Sequence, residues 1–397
     1  MTRPSKIFNI CNLYIIIWLL YNFHWNDVGD VFPIMESLSN IFLAINLGIS
    51  LLCTFIVIFK YPSNSFRRNT SILLFLFVVY GLLHLLFDND IMIRNINKGS
   101  YLIGAMRTFL PIYTFFLFTK LGYLTEDLIK FWVWIFLIET IIIYLSFGGY
   151  LENDDIYELG TNNRGYLFVS LLPLIYFYRN KPWVQYVLLS ILIAFTVYSM
   201  KRGAILTTLL CSIFFFWDKT KNVHTSKKIL VLTIFMILVG IGSQLIEVLY
   251  SQSDFFQKRV SDTLEGNSSN RDLIVSSLLS KYANGNPLSW LFGFGANATI
   301  RDIGIEAHND WVEVLYNQGL LGFCAFINFW IVWFLLWRKQ ESNNTELSLL
   351  VGLLFLSNFP RTLFSMWYSN ANMFVTLPLG FCLAHIYLSP PQKEILN

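Results

Sequence analysis

Charge is what this sequence has least of. Asp, Glu, Lys and Arg make up 13% of the 397 residues, about half the share near 25% usual in a soluble domain, while apolar residues make up 55%. That balance excludes an ordinary soluble enzyme. A disulfide framework is missing too. The five cysteines (Cys11, Cys53, Cys211, Cys324 and Cys382) all fall inside apolar runs without metal-ligand spacing, and read as small core residues. Internal repeats and low-complexity tracts are absent. So is a nucleotide-binding glycine loop, since "GFGANA" lacks the strand, helix and acidic partner of a dinucleotide fingerprint. The sequence gives no support for ATP-driven chemistry.

What it has in abundance is apolar runs of the length a helix needs to cross about 30 Å of hydrocarbon. Twelve are read, near 7–23, 37–59, 70–87, 100–119, 130–149, 165–179, 184–200, 203–217, 229–247, 318–337, 346–360 and 371–389. The first follows Arg3 and Lys6 and ends in "HWND" with no small-residue cleavage signal, so it reads as a retained span. The expected fold is all-α: a polytopic integral membrane protein, one transmembrane domain over 1–397 with about 12 transmembrane helices.

With a cytoplasmic N-terminus, sixteen Lys and Arg fall in inner segments and eleven in outer ones. Five of the eleven (Lys258, Arg259, Arg271, Lys281, Arg301) share one long loop, and long loops count little toward orientation. Both termini are therefore expected in the cytoplasm. The outer set is richer in arginine, with seven in eleven (Arg94, Arg164, Arg202, Arg259, Arg271, Arg301, Arg361) against five in sixteen inside. Lysine suffices to hold a loop beside anionic lipid, whereas the planar fork of arginine makes bidentate bonds to phosphate oxygens.

The long loop, 248–307, is far more polar than its surroundings, and loops of such length are usually functional or disordered. "DLIVSSLL" after Arg271 has helical spacing, with Ser268 or Asn270 as cap, and "LSWLFGFGANATI" is apolar with glycines for close backbone approach. The loop is expected to fold on the outer membrane face.

Five places can carry chemistry. His308 opens "HNDWVEVLYNQGLLGF", whose stripes Trp311, Leu315, Gln318 and Asp310, Glu313, Asn317 suit a helix lying at the interface. Gly319 and Gly322 then permit close packing where the chain enters the membrane. One reading of His308 is a polar residue capping that helix; the other is a general base, an imidazole titrating near neutrality. Lys201 and Arg202, in "YSMKRGAIL", sit where two spans meet with almost no loop; they either snorkel or face a polar cavity. Arg107 lies about eight residues into its span with Pro111 one turn on, where snorkelling is harder. Arg271, Arg301 and Arg361 are each readable as solvated charges, but as a set on one face they suit a lipid diphosphate. Glu139 is an intramembrane carboxyl whose partner the sequence does not name.

The order His308, Asn309, nine residues, Gly319, two residues, Gly322 resembles the signature of the bacterial O-antigen ligase and O-antigen polymerase superfamily. "KRGAIL" is similar to that family's arginine-bearing turn between two central spans, and Arg271 falls where its long loop carries another arginine. The sequence departs from it in having lysine before Arg202. The resemblance implies a metal-independent, inverting glycosyltransferase of the C-type, with no cofactor, acting on glycan carried by a polyprenyl diphosphate. It further implies Arg202 and Arg271 holding the donor diphosphate and His308 activating the acceptor hydroxyl, with Lys201, Arg107, Arg301, Arg361 and Asn309 as further substrate-binding candidates.

Polymerase members are resembled slightly more closely, through "HNDWVEVLYNQGLLGF" and "LFGFGAN". A polymerase extends repeat units into O-antigen or capsular polysaccharide; a ligase moves the glycan to lipid A-core. The implied partners are the lipid-linked donor and acceptor, membrane lipids and a chain-length regulator protein, with no nucleic acid. The implied location is the bacterial inner membrane with the site on the periplasmic face. A transporter of lipid-linked sugars is the non-enzyme alternative. It calls for corresponding broken or charged helices in two halves, and none is found.

Overall fold

The computed structural model describes residues 9–25, 34–87, 99–146, 164–221, 224–252, 257, 261, 271–343, 345–368 and 373–386. Among these there is no strand; the chain is a set of helices. In order they are α1 (Ile10–Trp25), α2 (Ile34–Lys60), α3 (Ser65–Phe87), α4 (Ser100–Lys120), α5 (Glu126–Ser146), α6 (Gly165–Leu171), α7 (Pro182–Tyr198), α8 (Arg202–Thr220) and α9 (Thr225–Gln252). Three short helices follow, α10 (Arg271–Ala283), α11 (Pro287–Phe292) and α12 (Ala298–Ile303), before α13 (Asp310–Ser342), α14 (Leu347–Phe364) and α15 (Met373–Ile386). α6 continues as a 3-10 turn over Leu172–Tyr178, where Pro173 withholds the N–H that an α-helical bond would need.

Each of the twelve apolar windows coincides with a helix. Among the described residues seven helices are long and apolar enough to cross a membrane: α2, α3, α4, α5, α9, α13 and α14. α1, α6 with its 3-10 extension, α7 and α15 are apolar but shorter, and α8 carries Arg202, Asp218 and Lys219 at its ends. Much of the apolar surface faces outward, as Phe59, Phe75, Leu86 and Trp217 do, which suits a lipid solvent rather than water. The proposed loop caps Ser268 and Asn270 lie outside the described residues.

The core is aromatic, with Phe109, Phe329, Trp330, Trp333 and Trp367 in mutual contact. α15 packs on α4 closely enough that a Cβ on Gly380 would sit 2.7 Å from Ile112 O. Four of the cysteines are buried singly, and Cys324 is exposed.

The segment before α13 has its own small core, Leu278, Ala298, Ala307 and Tyr316, with Phe294 stacked on Tyr316 at 4.7 Å. It is tied to α13 through a break in that helix. Gly319 adopts φ 64°, ψ −163°, which no helical residue has. Breaking the ladder there exposes carbonyls that need donors. Phe294 N donates to Tyr316 O at 2.9 Å and Gly295 N to Asn317 O at 3.0 Å. The Tyr80 hydroxyl, from α3, donates to Phe292 O at 2.6 Å and Gln318 O at 3.2 Å. A Cβ on Gly319 would collide with Gly293 N, and one on Gly293 with the Asn317 carbonyl.

The first part of α13 differs from the expected interfacial helix in one respect. Its polar stripe is turned inward: Asp310, Glu313 and Asn317 are all buried. The Glu313 carboxylate accepts from Thr299 Oγ1 and, at 2.7 Å, from Ala307 N, while Asn317 Oδ1 accepts from Thr299 N at 3.2 Å. The stripe is polar because it holds the preceding loop.

Candidate functional site

Five chain segments meet at one end of the helical assembly. α7 ends at Tyr198 and α8 begins at Arg202; the turn between them is made by Met200 at φ 51°. That left-handed residue places Lys201, which is buried, and Arg202 at the mouth of α8. Beside it stands the first turn of α6, where Tyr166 packs so tightly that only glycine fits at 203. The last turn of α14 brings Arg361, its guanidinium 5.1 Å from the centre of the Tyr166 ring. The head of α10 brings Arg271, whose Nη1 donates to Phe364 O at 3.0 Å.

The head of α13 completes the group. Asn309 caps the helix, its Oδ1 accepting from Trp311 N at 3.0 Å and Val312 N at 3.2 Å. The cap role weighed for His308 is therefore performed by its neighbour. Asn309 Nδ2 also donates to Leu363 O at 3.4 Å, and Trp311 Nε1 to Thr362 Oγ1 at 2.9 Å, so α13 is fastened to the end of α14. Fully buried Asp310 accepts from Trp367 N at 2.9 Å through Oδ2 and lies within electrostatic reach of Arg361.

His308 is the residue these contacts leave over. Its φ of 51° is left-handed, a conformation that costs a non-glycine residue about 1–2 kcal/mol and collects at functional sites. Its imidazole makes no hydrogen bond among the described residues. Burial, then the charges of Arg271 and Lys201, lower its pKa from 6.5 to about 4. At neutral pH the ring is therefore uncharged, with a nitrogen lone pair beside cations.

The cations sense one another. Burial and then, against the favourable influence of Tyr166, the charge of Arg202 lower the Arg271 pKa. Arg271 and Lys201 thus act on His308 directly, while Arg202 acts on Arg271 and Arg361 acts on Tyr166 and Asp310. No three metal-ligating side chains come together among the described residues.

Two expected members stand elsewhere. Arg301 pairs with Asp302 at 2.9 Å and also donates to Phe294 O; Asp302 accepts from the Tyr316 hydroxyl at 2.6 Å as well. Burial alone would raise the Asp302 pKa, but the bonds from Arg301 and Tyr316 outweigh it and lower it. Arg301 thus serves the fold of the loop. Arg107 is buried on the α1 side of α4, its Nη1 donating to the Tyr21 hydroxyl at 2.7 Å. Glu139 finds its partner in α1, where Nδ2 of Asn22, next to Tyr21, donates to Oε1 at 2.8 Å.

Sequence reasoning passed over Tyr166, which touches the site from a helix that looked purely apolar. The signal was Gly203, following Arg202 where a helix-forming residue would otherwise stand. No protein-family model and no curated protein matches the chain.

Proposed function

We propose that this chain is a glycosyltransferase that joins polyprenyl-diphosphate-linked oligosaccharide repeats into a polysaccharide, at the outer face of a bacterial plasma membrane. All twelve apolar helices would cross, with both termini cytoplasmic and the segment 248–307 folded over the periplasmic end. The surplus of lysine and arginine in the short loops of the opposite side supports that orientation.

One observation carries the reading: Arg271 and Lys201 act on an uncharged histidine that makes no hydrogen bond among the described residues, with Arg202 acting on Arg271 and Arg361 held against Tyr166 in the same cluster. A histidine alone suits many reactions, and a cationic patch alone suits any anion. Together they suit transfer away from a diphosphate. His308 takes the proton of an acceptor hydroxyl, whose oxygen attacks the anomeric carbon from the side opposite the diphosphate. The bond from that carbon to the phosphate oxygen breaks, and the configuration inverts. The electron pair leaves on the diphosphate, where Arg202, Arg271, Arg361 and Lys201 neutralise it. A ligase would share every step and differ only in the acceptor.

Exchanging Arg202 for lysine tests the clamp. Charge is retained and only the two-pronged geometry is lost. The rate of glycan transfer should fall about tenfold or more, with KM for the lipid-linked donor raised. Wild-type kinetics in Arg202→Lys would remove the clamp from the account.

A further inference from the structure

Tyr166 is 2% exposed, and among the described residues its hydroxyl makes no hydrogen bond of ordinary geometry, although the Ser365 side chain stands near enough to act on it. A buried hydroxyl left unsatisfied is costly, and such groups in a native chain call for an explanation. Here the surroundings supply one. A Cβ on Gly203 would collide with Tyr166 Oη and lie 3.0 Å from Phe364 Cβ, so the hydroxyl sits directly against the opening turn of α8. The first N–H groups of a helix lie beyond the reach of its own carbonyls, and its dipole there is positive. Arg361 covers the ring and the charges of both Arg361 and Arg271 act on the hydroxyl. A buried hydroxyl without a well-formed hydrogen bond thus stands against a helix N-terminus, with Arg361 over its ring and Arg271 within electrostatic reach.

We propose that Tyr166 is a binding residue for the lipid-linked donor, its hydroxyl donating a hydrogen bond to a diphosphate oxygen seated at the first turn of α8. Access runs through Arg271. Its Nη1 donates to Phe364 O, and a diphosphate, as the stronger acceptor, would draw that guanidinium to itself and free a path toward Tyr166. Gly203 is then glycine so that the hydroxyl can stand there at all. The proposal rests on the diphosphate reading of the site.

Tyr166→Phe removes the hydroxyl and nothing else. A merely structural tyrosine would lose stability on this change; an unsatisfied one loses none. Binding of geranylgeranyl diphosphate and of inorganic diphosphate to purified, monodisperse protein in detergent separates lipid contacts from phosphate contacts. In Tyr166→Phe the Kd for both should rise about tenfold, with Tm unchanged or higher and KM for the sugar acceptor unchanged. Gly203→Ala, which displaces the hydroxyl, should weaken binding similarly, and adding it to Tyr166→Phe should cost little more. If the wild type binds both probes and Tyr166→Phe binds them equally well, the role of Tyr166 falls and the clamp stands. If the wild type binds neither probe, the diphosphate reading falls and takes the role of Tyr166 with it.

Discussion

Exchanging His308 for glycine is expected to slow glycan transfer by roughly 10²–10⁴-fold, the usual contribution of a positioned general base, while barely changing stability. Glycine relieves the left-handed φ of 51° and loses more chain entropy on folding. These effects offset to within about 1 kcal/mol. A histidine that mattered only to the fold would show the reverse pattern. The pH dependence gives a second readout. Burial and the charges of Arg271 and Lys201 lower the His308 pKa to about 4, so kcat/KM, which reports the free enzyme, should keep its acid side intact well below pH 6.5. A bound diphosphate offsets those cations and raises the pKa of His308. The acid limb of kcat should therefore lie at higher pH than that of kcat/KM, because protonation removes the base in both states but does so sooner when donor is bound. Coincident limbs, or an unchanged rate in His308→Gly, would count against His308 as the base.

The second large effect is expected far from any reacting atom. Gly319→Ala forces a side chain into φ 64°, ψ −163° and against Gly293 N. Strain and overlap together cost roughly 2–6 kcal/mol, and the cheapest escape is to undock residues 291–295. That would release the two bonds from Phe294 and Gly295 to α13 and loosen the loop that carries Arg271. Transfer should drop to background, with hydrogen exchange of the Phe294 and Gly295 amides accelerating. Retained protection and activity would show that the loop is fixed by other means.

The helices were legible in the sequence because a membrane-spanning segment must be apolar over most of its length and must satisfy its backbone internally. The interior of the site was less legible, for reasons that differ residue by residue. Asp310, Glu313 and Asn317 form a polar stripe that looks wet, yet it is buried against the loop; periodicity reports which residues share a face, not what covers it. Arg301 and Arg271 look alike in sequence, but Arg301 is adjacent to Asp302 and pairs with it, whereas Arg271 faces Arg202 and Tyr166. The sequence puts forward only His308 as the cap, but Asn309 takes that place. The Asn309 side chain is short enough to reach Trp311 N and Val312 N, and that assignment leaves the imidazole over for chemistry. Tyr166 could have been found only by asking why Gly203 begins a helix.

The central claim is that the cations around His308 serve transfer from a lipid diphosphate, and the most direct test uses lipid-linked repeat units as the sole substrate. Purified protein in proteoliposomes should convert them into longer lipid-linked chains, releasing polyprenyl diphosphate in step with each bond formed, and His308→Gly should do neither. Polyprenyl diphosphate release only on adding lipid A-core would move the acceptor to the ligase reading. No release with either acceptor, or equal release by His308→Gly, would contradict the account.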